Sequence, residues 1–300
     1  MPGGTERLLR RRIKSFQSMK KITKAMELIS ASRIVKAQAK VAAARPYSEQ
    51  ITEVIRNLTA AGAGSGQPLL TPREEVRTVG FVVITADRGL AGGYNSGVIR
   101  LAERALQQEV AAGRSYSLML VGKKAVAYFK YKGYRIDASF TGFSDNPSYE
   151  HARHVADEVI RRFSEGELDQ VELAYTQFLS LATQRALVRR FLPMEAAAVT
   201  ESAASGPTAD YEYEPEPGAI LEQIVPRYVE SRLFAAMLDA AASEHAFRQR
   251  AMKAATDNAD ELIKVLNRQM NRARQDSITT EIIEIASGAE ALAQDARGND

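Results

Sequence analysis

Apolar positions follow two different rhythms along this chain, and the change of rhythm divides it. Near the start, Leu9, Ile13, Phe16, Met19, Ile22, Met26 and Ile29 recur at steps of three and four. At about 100° per residue, that spacing stacks them on one face of a helix. No glycine or proline interrupts the stretch from Thr5 to Arg45. Pro46 marks a kink or a local boundary, and "AAGAGSGQP" (60–68) reads as a loop or linker.

The middle of the chain has shorter periods. "VRTVGFVVITA", "YSLMLVG", "VELAYTQF" and "ALVRRFL" are branched or aromatic runs suited to buried strands. Helical stretches such as "NSGVIRLAERALQQEVAAG" and "HARHVADEVIRRF" lie between them. Strand and helix in alternation predict a compact α/β domain with a mainly parallel sheet.

An acidic loop with several prolines follows, "ESAASGPTADYEYEPEPG" (201–218). Residues 227–287 then contain neither glycine nor proline, enough for a helix of roughly 90 Å at 1.5 Å per residue. Met252, Ala255, Ala259, Leu262, Leu266, Gln269 and Ala273 step by three and four, the heptad rhythm of a coiled coil. A stripe this narrow cannot cover a globular core. The economical arrangement packs the two ends on each other as an antiparallel coiled coil beside the α/β domain.

Charge sharpens the picture. The net charge is only +3 over 300 residues. Yet residues 7–45 hold twelve Lys or Arg against one acid, Glu27. Such a block predicts an acidic partner: nucleic acid, lipid headgroups or an acidic protein surface. With no cysteine, disulfides, thiolate metal sites and a cysteine nucleophile are excluded. The longest apolar run, near "VGFVVITA", is far short of the roughly 20 residues that span a bilayer. No secretory signal pattern is present, which predicts a cytoplasmic protein that meets a membrane only through partners.

Two motifs invite chemistry. "DRGLAGGYNSG" (87–97) follows a strand and precedes a helix, as a nucleotide loop would. Gly89, Gly92 and Gly93 do not fit G-x-G-x-x-G, and no GK[ST] follows, so tight-turn glycines are the better reading. His151 and His154, near Glu150 and Glu158, have a spacing compatible with zinc; imidazoles on a solvated helix face are the commoner arrangement. No nucleophile–base set or carboxylate pair can be assigned, so neither a catalytic residue nor a cofactor is expected.

The terminal stretch "SEHAFRQRAMKAATDNADELIKVLNRQMNRARQDSITTEIIEIASGAEAL" resembles the end of the gamma subunit of the rotary F-type ATP synthase, bacterial type. "ITTEIIEIASGAEA" (278–291) is similar to that family's terminal signature, "KKITKAMELISASR" to its first helix, and "ITADRGLAGGYN" (84–95) to the first strand and turn of its middle domain. The resemblance implies a long antiparallel coiled coil of the terminal helices plus a Rossmann-like α/β middle domain. Residues 1–62 would form the N-terminal helix, 75–200 the α/β globular foot, 201–218 an acidic loop of that foot, and 219–300 the C-terminal helix. It implies a non-catalytic rotor subunit of a proton-translocating complex, coupling rotation of the c-subunit ring to ATP synthesis or hydrolysis at the beta-subunit sites. The implied partners are the alpha and beta subunits, epsilon and the c ring, with no direct nucleotide or nucleic acid. The place is the cytoplasmic side of a bacterial plasma membrane, since the plant plastid form's cysteine pair and a transit-like extension are both lacking.

By resemblance, Met26, Arg274, Gln275, Thr279, Arg33 and Lys36 contact the beta subunit, and Tyr211, Tyr213 and Glu214 face the c ring and epsilon. Each has a plainer reading: Met26 as stripe packing, Arg274 and Gln275 as a solvated helix face, the tyrosines as part of an acidic loop. Three other functions fit parts of the sequence: a nucleic-acid binder using the basic helix, a nucleotide-using enzyme in the middle domain, and a passive coiled-coil scaffold. Against the first, Phe16 is the only aromatic before Tyr47.

Overall fold

The computed structural model describes residues 3–59, 67–194 and 214–297. Tyr211, Tyr213 and most of the expected acidic loop lie outside the described residues. The element order is α1 (Gly3–Leu58), β1 (Thr78–Ile84), α2 (Tyr94–Ala111), β2 (Ser115–Val121), α3 (Lys123–Tyr131), β3 (Ala138–Phe140), α4 (Tyr149–Ser164), β4 (Gln170–Phe178), β5 (Gln184–Leu192) and α5 (Pro217–Arg297). Helix α1 continues through Pro46, and α5 through Pro226. Pro217 opens α5, where the missing N–H would have no intrahelical acceptor anyway. Contacts divide the chain into two compact units, one of residues up to Leu28 and from Arg250 onward, the other Ile29–Gln249.

The larger unit contains the sheet, in the order β3-β2-β1-β4-β5. The β1–β2, β1–β4 and β2–β3 pairs are parallel; β5 runs antiparallel to β4. Both faces are covered over β1, β2 and β4, which is why these strands read as largely apolar runs. Val79, Phe81 and Val83 point to one side with Val98, Ile99, Ala102 and Leu106 of α2 and Phe129 of α3. Val82 and Ile84 point to the other, with Val155, Val159 and Phe163 of α4. Ile55 and Leu58 of α1 and Val225, Val229 and Leu233 of α5 complete that second layer. Strand β3 and helix α3 went unforeseen, being too short to establish a period.

The smaller unit packs the start of α1 antiparallel to the later part of α5. Leu9, Ile13 and Leu266 form its buried cluster, with Phe16, Ile263, Met270 and Ala273 against it. Toward the Leu28 end, Thr23 Oγ1 lies 2.8 Å from Thr256 Oγ1, and Lys20 Nζ donates to Asp260 Oδ1 at 2.5 Å.

This seam corrects both stripes read from the sequence. On α5, Met252, Ala259, Leu266 and Ala273 are seam positions as expected, but the intervening places go to Thr256, Ile263 and Met270 rather than Ala255, Leu262 and Gln269. The seam therefore steps by four and then three; Leu262 is 44% exposed. On α1, the seam passes from Phe16 to Lys20 and Thr23, leaving Met19 at 51% and Ile22 at 61% exposed. Two successive steps of three carry an apolar stripe about 120° around a helix, off a seam that must stay opposite its partner.

The seam makes a direct prediction. Leu266→Ala should lower the stability of the full chain to urea by about 2–4 kcal/mol, whereas Leu262→Ala should cost less than about 1 kcal/mol. Equal losses would contradict this packing.

Candidate functional site

A doubly wound sheet offers a ligand crevice at the carboxyl ends of its strands, where the strand order reverses. Here that point lies between β1 and β4. The turn after β1 is tight, with Leu90 at φ 63° and Gly92 at φ 52°; of the three expected turn glycines only Gly92 takes a positive φ. Asp87 fastens it. Its carboxylate accepts from the backbone N–H of Lys123 at 3.1 Å, Gly142 at 2.9 Å and Ser144 at 3.0 Å. Burial pushes the Asp87 carboxyl up, but these donors outweigh it and hold the group below its usual range. The start of α3 is equally filled: a Cβ on Gly122, at φ 94°, would stand 2.2 Å from the Thr85 carbonyl oxygen.

Helix α5 covers the same edge. Ser243 Oγ donates to the Thr176 carbonyl of β4 at 3.2 Å. Arg248 donates to the Gly89 carbonyl from Nε and Nη2, and to Glu244 Oε1 at 2.5 Å. Phe247 rests on Tyr94, the ring centroids 6.0 Å apart. Glu244 is fully buried, and its second oxygen, Oε2, has no hydrogen-bond partner among the described residues. Burial pushes this carboxyl up, and Arg248 offsets that only in part. The place where this fold would take a nucleotide is thus filled by the chain's own side chains.

His245, next along, has its tautomer fixed by its neighbours. Nε2 is 3.0 Å from the Asp145 carbonyl oxygen, so it carries the proton, and Nδ1 accepts from Arg248. Burial holds its pKa below the ordinary value; the Asp145 carbonyl opposes this, and the nearby guanidinium of Arg248 adds to it.

The other two histidines serve structure. His151 completes a capping box with Ser148 at the start of α4 and stacks on Phe143 at 4.3 Å. His154 meets the Phe140 ring edge to face. They are therefore more engaged than a solvated face would require. No group of three or more His, Asp or Glu side chains able to hold a metal occurs among the described residues. No helix there is long and apolar enough to cross a membrane.

Several charges of α1 are neutralised within their own unit: Lys24 pairs with Glu27, Lys20 with Asp260, and Arg33 with Asp145 at 2.6 Å. These pairs involve three of the twelve cations between residues 7 and 45. Arg33 and Lys36 line one cleft of the larger unit. In the smaller unit Met26 is half-buried, and Arg274, Gln275 and Thr279 are exposed on α5. The Thr279 hydroxyl donates back to the Gln275 carbonyl at 3.0 Å. Around them lie exposed large apolar side chains, Val265, Ile278, Ile282, Ile283 and Ile285. Such a density of uncovered branched residues marks a surface that a partner occupies. Glu214, the one described member of the expected c-ring set, is exposed.

Sequence reasoning passed over Glu244 and Arg248. The available signal was an acid and a base four apart within a run of alanines, leucine and methionine, a spacing that joins them on one helix face. It also passed over Asp239, half-buried on α5, whose carboxyl burial pushes up to about 6 despite Arg189 and the Phe178 backbone donor.

Comparison with known proteins completes the picture. Residues 5–292 match the profile of the family described as ATP synthase. The ATP synthase gamma chain of Parafrankia sp. (strain EAN1pec) is 50% identical over 297 residues, covering 98% of this chain and 99% of the relative. That of Mycolicibacterium smegmatis is 45% identical over 303 residues, covering 96% and 98%. Among solved structures, a chain of the Euglena gracilis mitochondrial ATP synthase (OSCP/F1/c-ring, rotational state 3) superposes with a TM-score of 0.66 at 18% identity. It covers 97% of this chain and 95% of its own, a likeness of fold.

Two outcomes follow from the buried charges. Arg248→Met strands Glu244 without its cation and should cost about 3–5 kcal/mol in urea denaturation near pH 8. The deficit should shrink on acidification, as Glu244 takes up a proton. Asp239 holds its proton more tightly folded than unfolded, so its ionisation erodes stability as the pH rises from about 4 through about 6. Asp239→Asn should therefore raise stability at pH 7.5 by about 1–3 kcal/mol and flatten that limb of the pH profile.

Proposed function

The chain belongs to the ATP synthase gamma chain family, and from that membership we propose that it is the non-catalytic central-stalk rotor of a proton-translocating F-type ATP synthase. The observation that carries the reading is the uncovered branched surface of α5 around Ile278, Ile282 and Ile285, next to a stretch where only a narrow seam is buried. A helix pair with so thin a core and so much exposed apolar surface is built to be enclosed by other chains. The filled crevice of the α/β domain accords with a subunit that leaves nucleotide chemistry to its partners.

In this reading the N-terminal helix (1–62) and the C-terminal helix (219–300) enter a ring of alternating alpha and beta subunits. Met26, Arg274, Gln275 and Thr279 face the beta subunits there. Arginine presents five donors in a fixed fork, suited to gripping a carboxylate or carbonyl in one rotor orientation and releasing it in the next. Exposed ion pairs are worth only about 0–1 kcal/mol each, so a rim of lysines and arginines can exchange partners as the subunit turns. The α/β domain (75–200) and the loop at 201–218, with Tyr211, Tyr213 and Glu214, meet the c ring and epsilon. Proton-driven turning of the c ring then takes the three beta sites through different states in succession, and the subunit sits on the cytoplasmic side of a bacterial plasma membrane through these contacts.

The test is reconstitution with the alpha and beta subunits of its own organism. One copy should enter per three alpha–beta pairs, and multi-site ATP hydrolysis should depend on it. Removing the residues after 273 should weaken coupling more than assembly. Absence of a complex, with hydrolysis unchanged, would overturn the assignment.

A further inference from the structure

The larger unit holds a cleft whose lining includes Arg33 and Lys36, two residues that the family resemblance assigns to beta-subunit contact. It has a volume of about 410 Å³ and lies between α1, α5 and the loop before α4, within the range of small-molecule sites. Arg33, Lys36 and Lys40 line one wall. Their spacing of three and four residues brings them onto a single face of α1, where like charges repel unless something neutralises them. The only acid lining the cleft is Asp145. It already accepts from Arg33 Nη1 at 2.6 Å, which leaves the other guanidinium donors available. Lys40 donates only to the neutral amide oxygen of Asn146, at 2.6 Å. Lys36 is exposed and has no partner among the described residues. Three cations against one carboxylate leave the cleft with an excess of two positive charges.

The opposite side differs. Leu238, Ala241 and Pro147 form an apolar floor. His245 adds no free donor, because its Nε2–H is spent on the Asp145 carbonyl. A ligand matching this cleft carries at least two negative charges at one end and a flat apolar body at the other.

We propose that the cleft formed by Arg33, Lys36, Lys40 and the Leu238–Ala241 floor binds a phosphate-bearing anion of nucleotide size, with the phosphates on the α1 cations and the ring system on the floor. This site is separate from the filled crevice at the sheet's carboxyl edge, and its existence does not depend on the rotor assignment. It departs from the expectation that this chain meets no nucleotide directly.

The experiment titrates the full chain calorimetrically with ADP, tripolyphosphate and adenosine, and with phosphatidylglycerol vesicles. ADP should bind with a dissociation constant on the order of 0.1 mM, as a few charge-assisted contacts in a half-open site allow. Tripolyphosphate should bind more weakly than ADP, and adenosine should show no heat. Raising salt from 50 to 200 mM should weaken ADP several-fold. Lys36→Ala/Lys40→Ala, which places two good helix formers on an exposed face, should keep the unfolding midpoint and lose at least tenfold in affinity. In the assembled complex, 8-azido-ADP should label peptides containing Pro147 or Leu238, separately from any label on other subunits. Equal binding of adenosine, affinity within twofold in the double variant, or a response to vesicles alone would overturn the proposal.

Discussion

The structure turns on one constraint: α5 is a single uninterrupted helix that must satisfy two environments. Between Leu221 and Ala246 nearly every turn presents buried positions on more than one side. Beyond Arg250 only the seam residues remain covered. A helix can make that change without breaking because its backbone hydrogen bonds are internal, and only the width of the apolar stripe has to alter. The composition follows suit. Alanine, leucine and methionine crowd the first stretch, while Lys, Arg, Asp, Glu and Gln fill the flanks of the second.

Within the larger unit the same helix supplies the polar closure of the sheet. Burying Glu244 and Arg248 together is costly, and it is tolerable because the guanidinium also meets the Gly89 carbonyl and the helix places the two charges four residues apart. The pair ties α5 to the turn after β1. Asp87 ties that turn to α3 and to the loop before α4. A fold associated with ligand crevices has here spent its crevice on internal attachment, and the space that remains open lies against α1 instead.

Much of this was legible in the residues. β1, β2 and β4 announced themselves as apolar runs because the sheet is buried on both faces there, and the absence of Gly and Pro from 227 to 287 announced α5. The α1 and α5 stripes were legible only in part. A helical wheel ranks residues by polarity, whereas the seam is fixed by its partner helix, so Lys20 and Thr23 displaced Met19 and Ile22. The cleft could not be foreseen at all. Arg33 and Asp145 are 112 positions apart, and nothing local in either segment points to the other. Of the residues carried over from the family motif, Arg274, Gln275 and Thr279 are exposed on α5, Arg33 and Lys36 are exposed on α1, and Met26 is half-buried there; exposure alone names no partner.

The hydroxyl pair of Thr23 and Thr256 has a mechanical corollary. Sliding one helix of that seam by a heptad would set Thr23 opposite Ile263 and Lys20 opposite Leu266, breaking the hydroxyl pair and parting Lys20 from Asp260, while Thr23 kept its bond to the Lys20 carbonyl. Losing the hydroxyl pair costs about 0.5–1.5 kcal/mol, and losing the half-exposed ion pair at most about 1 kcal/mol. Longitudinal slip is therefore opposed, and one register is preferred. Torque applied to one helix of the pair is then passed to the other with the register kept.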